Sequence, residues 1–262
     1  MTDSFYRAFE DKYRGSRELI KSRLQVYLPF IKPLLNKKQQ TKPKALDLGC
    51  GRGEWLELLT EQGFIAQGVD IDEGMLEACL EFDLKAKKAE ALEHLKAQKA
   101  NSFAVISGFH IAEHIPFEIL QELVDQALRI LKPGGLLILE TPNPENIVVG
   151  TANFYLDPTH KQPLPPLLLS FVAEHAGYAR VKILRLQEPE GLQESQNLTL
   201  IDVLSGVSPD YSIVAQKAAA KTALKKFDAA FSREYGVMLN EIANLYDGQL
   251  KIKTDDLRTQ WS

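Results

Sequence analysis

The segment that most restricts the fold is Asp47-Leu-Gly49-Cys-Gly51-Arg-Gly53. An apolar run, Ala45–Leu48, precedes it and a helical pattern, Glu54–Gln62, follows. Three alternating glycines allow a turn that side-chain-bearing residues adopt only at a cost, and they leave no Cβ between the backbone and a ligand. A strand that turns this way into a helix aims free N–H groups and the positive helix end at whatever lies above the turn. Such a unit belongs to a parallel α/β sheet that binds its ligand beyond the carboxyl ends of the strands.

The rest of the central region repeats the unit. Short apolar runs predict strands at Ala45–Leu48, Ala66–Val69, Leu84–Lys88, Phe103–Gly108 and Leu136–Glu140. Helices are predicted at Glu54–Gln62, Gly74–Phe82, Glu90–Lys96 and Phe117–Leu131, the last stopped by Lys132-Pro-Gly-Gly. After a long loop over 141–165 come a helix, Pro166–His175, and strands at Val181–Leu186 and Ser212–Lys217. Residues 4–36 carry two helical stripes, Phe5/Phe9/Tyr13 and Ile20/Leu24/Tyr27/Ile31, broken at Gly15. From 218 onward Leu224, Phe227, Phe231, Tyr235, Met238, Ile242, Leu245 and Leu250 form a heptad-like stripe interrupted by Gly236 and Gly248. That stripe predicts either a helix packed on the domain or a coiled coil for self-association or an assembly partner. The organisation expected is therefore a helical cap over 1–40, an α/β domain over 41–217 and a helical extension over 218–262.

The ligand follows from two acids. A dinucleotide-binding turn reads G-x-G-x-x-G, but the position of the third glycine is Glu54, whose charge would repel a pyrophosphate. A nucleoside ligand without phosphate meets no such objection. Asp70 ends the next strand about twenty residues on, where a carboxylate can accept both ribose hydroxyls.

These motifs together resemble the class I S-adenosylmethionine-dependent methyltransferases: ALDLGCGRGEW, then GVDID, then an apolar strand, then LKPGGLLIL. The resemblance covers about residues 40–217. It implies a doubly wound, Rossmann-like sheet of seven mostly parallel strands, the last antiparallel, and S-adenosylmethionine as cofactor with S-adenosylhomocysteine as product. By motif position it places the methionine part on Asp47, Gly49, Gly51 and Gly53, and the ribose on Asp70. The adenine falls against Ile71 and Met75 and near Glu90-Ala91, where the family's usual aspartate is replaced. The first helices resemble the cap of small-molecule and sugar methyltransferases. Of Tyr13, Arg14 and Arg17, Arg17 is the expected clamp on the methionine carboxylate, a role suited to a guanidinium fork.

Methyl transfer needs a nucleophile held in line and often a base. Gly108-Phe-His110-Ile-Ala-Glu113-His114 follows the fourth strand, and His160 stands in Tyr155-Leu-Asp157-Pro-Thr-His160. In one reading His114 or His160 is the general base and Glu113 orients it. In the other, His110, Glu113, His114 and His160 hold a divalent metal, a spacing similar to that of small-RNA and quinone-biosynthesis O-methyltransferases, with His110 in place of an acid. Thr141-Pro-Asn143-Pro-Glu145-Asn146 suits either hydroxyl recognition or a rigid, capped loop. Phe154 and Tyr155 suit a sugar platform or a loop anchor.

A net charge of −4 argues against a broad nucleic-acid surface. The apolar runs are too short for a membrane span, and the opening MTDSFYRAFEDKYRG does not read as a secretory signal. Cys50 and Cys79 make neither a disulfide framework nor a metal knuckle. The expectation is a cytosolic protein that partners could hold at the inner membrane. FYRAFEDKYRGSRELIKSRLQVYLPFI, GFHIAEHIPFE, ETPNPEN and FYLDPTH resemble bacterial methyltransferases associated with surface-polysaccharide synthesis. That resemblance implies O-methylation of a glycan hydroxyl. The alternatives are a phenol or quinone-precursor acceptor, or a non-catalytic cofactor-binding module.

Overall fold

The computed structural model describes residues 15–35 and 41–260. Alternation of apolar side chains builds the sheet. On β1 (Lys44–Leu48), Leu46 and Leu48 face one layer and Ala45 the other. β4 (Phe103–Phe109) and β5 (Leu131–Pro142) split in the same way, with Leu137 and Leu139 on one side and Leu136 and Ile138 on the other. Strands apolar on both faces must be covered on both, which is the doubly wound arrangement.

Seven strands lie in the order β3-β2-β1-β4-β5-β7-β6, with β2 at Ile65–Asp70, β3 at Ala86–Lys88, β6 at Arg180–Leu186 and β7 at Asp210–Gln216. β7 runs antiparallel to both β5 and β6, and the other pairings are parallel. The expected sheet is thus present, antiparallel strand included. Strand order reverses beside β1, whose neighbours are β2 and β4, and a crevice opens there.

The second of the two N-terminal stripes forms a segmented cap rather than one helix. After α1 (Arg17–Leu24) the chain tightens through Gln25–Tyr27, Leu28–Ile31 and Lys32–Leu34. Pro29 and Pro33 each sit in a first turn, because proline has no N–H to give an earlier carbonyl. Tyr27, Phe30 and Ile31 are fully buried against α2 (Glu54–Gln62) and the sheet. The first stripe, with Phe5, Phe9, Tyr13 and Arg14, lies outside the described residues. The opposite layer holds α4 (Ala91–Lys96), α5 (Phe117–Ile130) and α7 (Pro166–Ala176), while α3 (Glu73–Glu81) follows β2. A short α6 (Ile147–Thr151) and α8 (Leu200–Ser205) occupy the connections.

The C-terminal stripe is divided. Phe227 and Ala230 join the core cluster of Leu184 and Leu186, and Phe231 and Tyr235 pack on Phe30 at ring distances of 5.4 and 5.8 Å. Gly236 then turns with φ +66, where a Cβ would stand 2.3 Å from the Arg185 carbonyl oxygen. Beyond it α9 (Leu239–Gln260) buries Ile242 with Val237 and leaves Leu250, Ile252 and Leu257 exposed. One continuous heptad is therefore not formed, because the chain turns where only glycine fits. No helix among the described residues is long and apolar enough to cross a membrane.

Candidate active site

The glycine turn is held by the acids that flank it. Asp47, almost fully buried, accepts from Ser107 Oγ at 2.7 Å. Asp70 Oδ2 accepts the Gly51 N–H at 2.8 Å and Oδ1 accepts the Asp72 N–H at 2.9 Å. Each carboxylate oxygen keeps a lone pair for a further donor. Gly49 and Gly51 adopt φ +65 and +51, the left-handed region that glycine enters freely. Above this cradle a cavity of about 1150 Å³ opens at the carboxyl ends of the strands. Asp47, Gly49, Gly51, Asp70, Ile71, Met75, Glu90 and Ala91 all line it. The wall also holds Trp55, whose indole N–H is buried without a partner among the described residues. A nucleoside with hydroxyls for Asp70, an apolar ring for Ile71 and Met75, and an acceptor for free N–H groups fits this surface.

Two assignments, Gly53 and Arg17, differ from expectation. Gly53 does not line the cavity. It caps α2 with φ +82, and a Cβ there would lie 2.6 Å from Leu84 Cδ1, so its role is helix packing. Arg17 is also occupied elsewhere. Its guanidinium pairs with Glu57 at 2.9 and 2.6 Å, donates to the Arg52 carbonyl and lies over Phe82. Six residues later, Arg23 lines the cavity without an ion pair among the described residues, so the arginine facing the site is Arg23. Glu90 lines the cavity but spends one oxygen capping α4 through the Glu93 N–H, at 2.8 Å. Glu54, read from sequence as hostile to phosphate, is buried and paired with Arg52 at 2.9 Å.

The polar groups after β4 and β5 meet at the other end of the cavity. Glu113 is fully buried and uses both oxygens, one for Thr141 Oγ1 at 2.9 Å and one for His110 Nδ1 at 3.2 Å. Burial raises the Glu113 pKa, but the His110 hydrogen bond and the His110 and His114 charges outweigh it, so the pKa ends below its usual value. His110 adopts φ +53, strained for a non-glycine residue, and its N–H donates to the Glu140 carbonyl at 2.9 Å. Burial lowers the His110 pKa, yet hydrogen bonds to Glu113 and Glu140 and the charge of Asp210 lift it well above normal. His110 is thus a charged strut among carboxylates.

His114 differs. Burial, only partly offset by Glu113, holds its pKa below the ordinary value, which leaves a neutral ring at neutral pH. Its Nδ1 lies 2.8 Å from Thr159 Oγ1. His160 packs against it at a ring distance of 4.7 Å, with Nδ1 2.6 Å from the Phe154 carbonyl oxygen. Phe154 is buried against His160 and so anchors the loop, whereas Tyr155 is exposed. Glu113, His114 and His160 bring ligand-type atoms within 4.8 Å of one another, and His110, Glu140 and Asp210 form a separate group. The four-residue metal set expected from sequence is therefore split: His110 spends Nδ1 on Glu113 at 3.2 Å and its Nε2 faces Glu140 at 3.7 Å, away from His114 and His160. A Glu-His-His group remains that could receive a divalent ion.

The loop after β5 is structural. Asn143 donates to the Ser208 carbonyl, Asn146 to those of Ser205 and Val207, and Glu145 pairs with Arg185 at 2.6 Å. Sequence reasoning passed over Arg23, Glu140, Asp210 and Tyr27 as site residues, and placed Thr141 in a loop for hydroxyl recognition rather than on Glu113. Only Glu140 carried a signal, as an acid ending an apolar strand in the manner of Asp70.

A cradle that fits a nucleoside and a histidine-lined pocket in one cavity, on a sheet of this order, define a Rossmann-like S-adenosylmethionine-dependent methyltransferase. The family model described as "Methyltransferase domain" matches residues 18–182, and the chain belongs to that family. It is similar to a SAM dependent methyltransferase from Archaeoglobus fulgidus, with 35% identity over 81% of this chain and 100% of that chain and a TM-score of 0.70. A phosphoethanolamine N-methyltransferase 2 from Haemonchus contortus, in complex with S-adenosyl-L-methionine, shares the fold at 17% identity and TM-score 0.55, over 82% of this chain and 60% of that one. Among curated proteins, the ubiquinone biosynthesis O-methyltransferase of Nitrosococcus oceani is 33% identical over 108 residues, 38% of this chain and 44% of its own length. The chain spans less than half the length of that relative.

Proposed function

We propose that this protein transfers a methyl group to a hydroxyl of a small molecule, with His114 as the general base. The observation that carries this is a half-buried imidazole held neutral in the same cavity as the cofactor cradle. A neutral histidine can take a hydroxyl proton at physiological pH. When bound, S-adenosylmethionine supplies a methyl group on a sulfonium, with a neutral thioether as leaving group. The chain's part is to hold the acceptor oxygen in line behind that methyl and to receive its proton on His114. Glu113, ionised and locked by Thr141 and His110, favours the imidazolium that results. His160 walls the acceptor side, and Arg23 is placed for a carboxylate at the cavity mouth.

A small acceptor suits a single cavity that must also hold the cofactor. The names of the curated relatives favour a small-molecule hydroxyl over the surface glycan that the sequence suggested. Methyl-labelled cofactor with protocatechuate, a soluble catechol, tests the reading beside a polysaccharide fraction. Label on the catechol, lost in His114→Ala and retained after chelation, supports it. Label in the polysaccharide alone refutes the small-acceptor reading, and loss of turnover on chelation moves the chemistry to an ion on the Glu-His-His group.

A further inference from the structure

We infer that Thr159, seated on Asp157, is a positioning residue that fixes which nitrogen of His114 carries the proton. The inference rests on the reading of His114 as base. A neutral imidazole can act as a base only through its unprotonated nitrogen, and the partner of the other nitrogen decides which one that is.

The assignment follows from counting protons. Thr159 has one hydroxyl hydrogen and two neighbours, Asp157 Oδ1 at 2.7 Å and His114 Nδ1 at 2.8 Å. Asp157 is almost fully buried, and the same Oδ1 already accepts the Thr159 backbone N–H at 2.8 Å. A carboxylate oxygen can only accept. If the hydroxyl turned toward His114, its lone pairs would face that oxygen at hydrogen-bond distance. The hydroxyl therefore donates to Asp157, the stronger, charge-assisted bond. Thr159 Oγ1 must then accept, and His114 must donate from Nδ1. The Nε2 lone pair is left for the acceptor hydroxyl. The run Asp157-Pro158-Thr159 holds the arrangement rigid, since the proline limits the backbone between the two polar residues. When His114 takes a proton at Nε2, its Nδ1–H stays on Thr159 and the Asp157 charge lies behind it.

The test reads the tautomer directly. Nitrogen-15 spectra of the histidine-labelled 262-residue chain should show His114 protonated at Nδ1. Thr159→Ser should keep that pattern. Thr159→Val, which fills the space without an acceptor, should move the ring to a mixture or to the Nε2-protonated form. With labelled cofactor and protocatechuate, Thr159→Val should lose roughly ten- to a hundredfold in kcat with the cofactor KM unchanged, and Thr159→Ser should restore turnover. An Nε2-protonated His114 in the unaltered protein overturns the inference, as does an unchanged tautomer in Thr159→Val. The spectrum of the unaltered protein decides even where the valine variant fails to fold or the catechol is not turned over. Full turnover in His114→Ala sinks the base reading instead, whatever the tautomer.

Discussion

Tyr27→Phe isolates the contact that ties the cap to the catalytic end of the sheet. Tyr27 is fully buried, and its hydroxyl donates to Glu140 Oε2, 113 residues away. Burial, reinforced by Glu140, drives the phenol pKa far above its usual range, so the hydroxyl keeps its proton and remains the donor. Phenylalanine retains the ring that packs on Trp55 and Phe109 at 5.9 and 5.6 Å, so no cavity term enters. The loss is one hydrogen bond to a buried carboxylate, and among the described residues the other oxygen keeps Gln187 at 3.4 Å and His110 at 3.7 Å. Removing such a donor costs about 1.5–3 kcal/mol. For a domain of this size each kcal/mol moves Tm by about 2–4 °C, so a fall of roughly 3–12 °C is expected in scanning calorimetry. Tyr27→Phe combined with Glu140→Leu should recover part of that fall, because removing both partners leaves no orphan. A Tm within about 1 °C of the parent for Tyr27→Phe would show that the buried pair contributes nothing, and the reasoning fails.

Asp70→Ala should weaken S-adenosylmethionine binding at least about tenfold by titration calorimetry, since it removes the proposed ribose acceptor and frees Gly51 together; an unchanged Kd would refute the cradle. Asp210 is raised by burial to about 6 from 3.8, so the folded state holds an extra proton between those values and loses stability as the pH rises through them. Asp210→Asn should flatten that slope in Tm measured against pH. Gly236→Ala should lower Tm sharply, because its Cβ would meet the Arg185 backbone. Gly248→Ala, inside α9 with nothing within 4 Å, should instead stabilise by about 0.5–1 kcal/mol. Equal shifts for the two glycine variants would refute this account.

The features legible along the chain are local in origin. Strand alternation, the glycine turn and Asp70 lie within about 25 residues of one another, and each follows from backbone freedom or period-two burial. The order of the βα units, the antiparallel last strand implied by resemblance, and a cradle of Asp47, Gly49, Gly51 and Asp70 were legible on those terms. Helical periodicity alone could not separate Arg17 from Arg23, because both lie off the apolar stripe and only the position of Glu57 on α2 draws Arg17 away. Nor could it divide the C-terminal stripe, whose aromatic half serves the core only because Phe30 and the β6 face lie opposite it.

The catalytic end belongs to tertiary structure for the same reason. His110, Glu113 and His114 stand within five residues, yet they act differently because Glu140 and Asp210 arrive beside one ring and Thr159 beside another. Charge state and tautomer depend on neighbours from four separate segments. A spacing rule cannot contain that information, since electrostatics in a buried pocket depends on distance in space rather than along the chain.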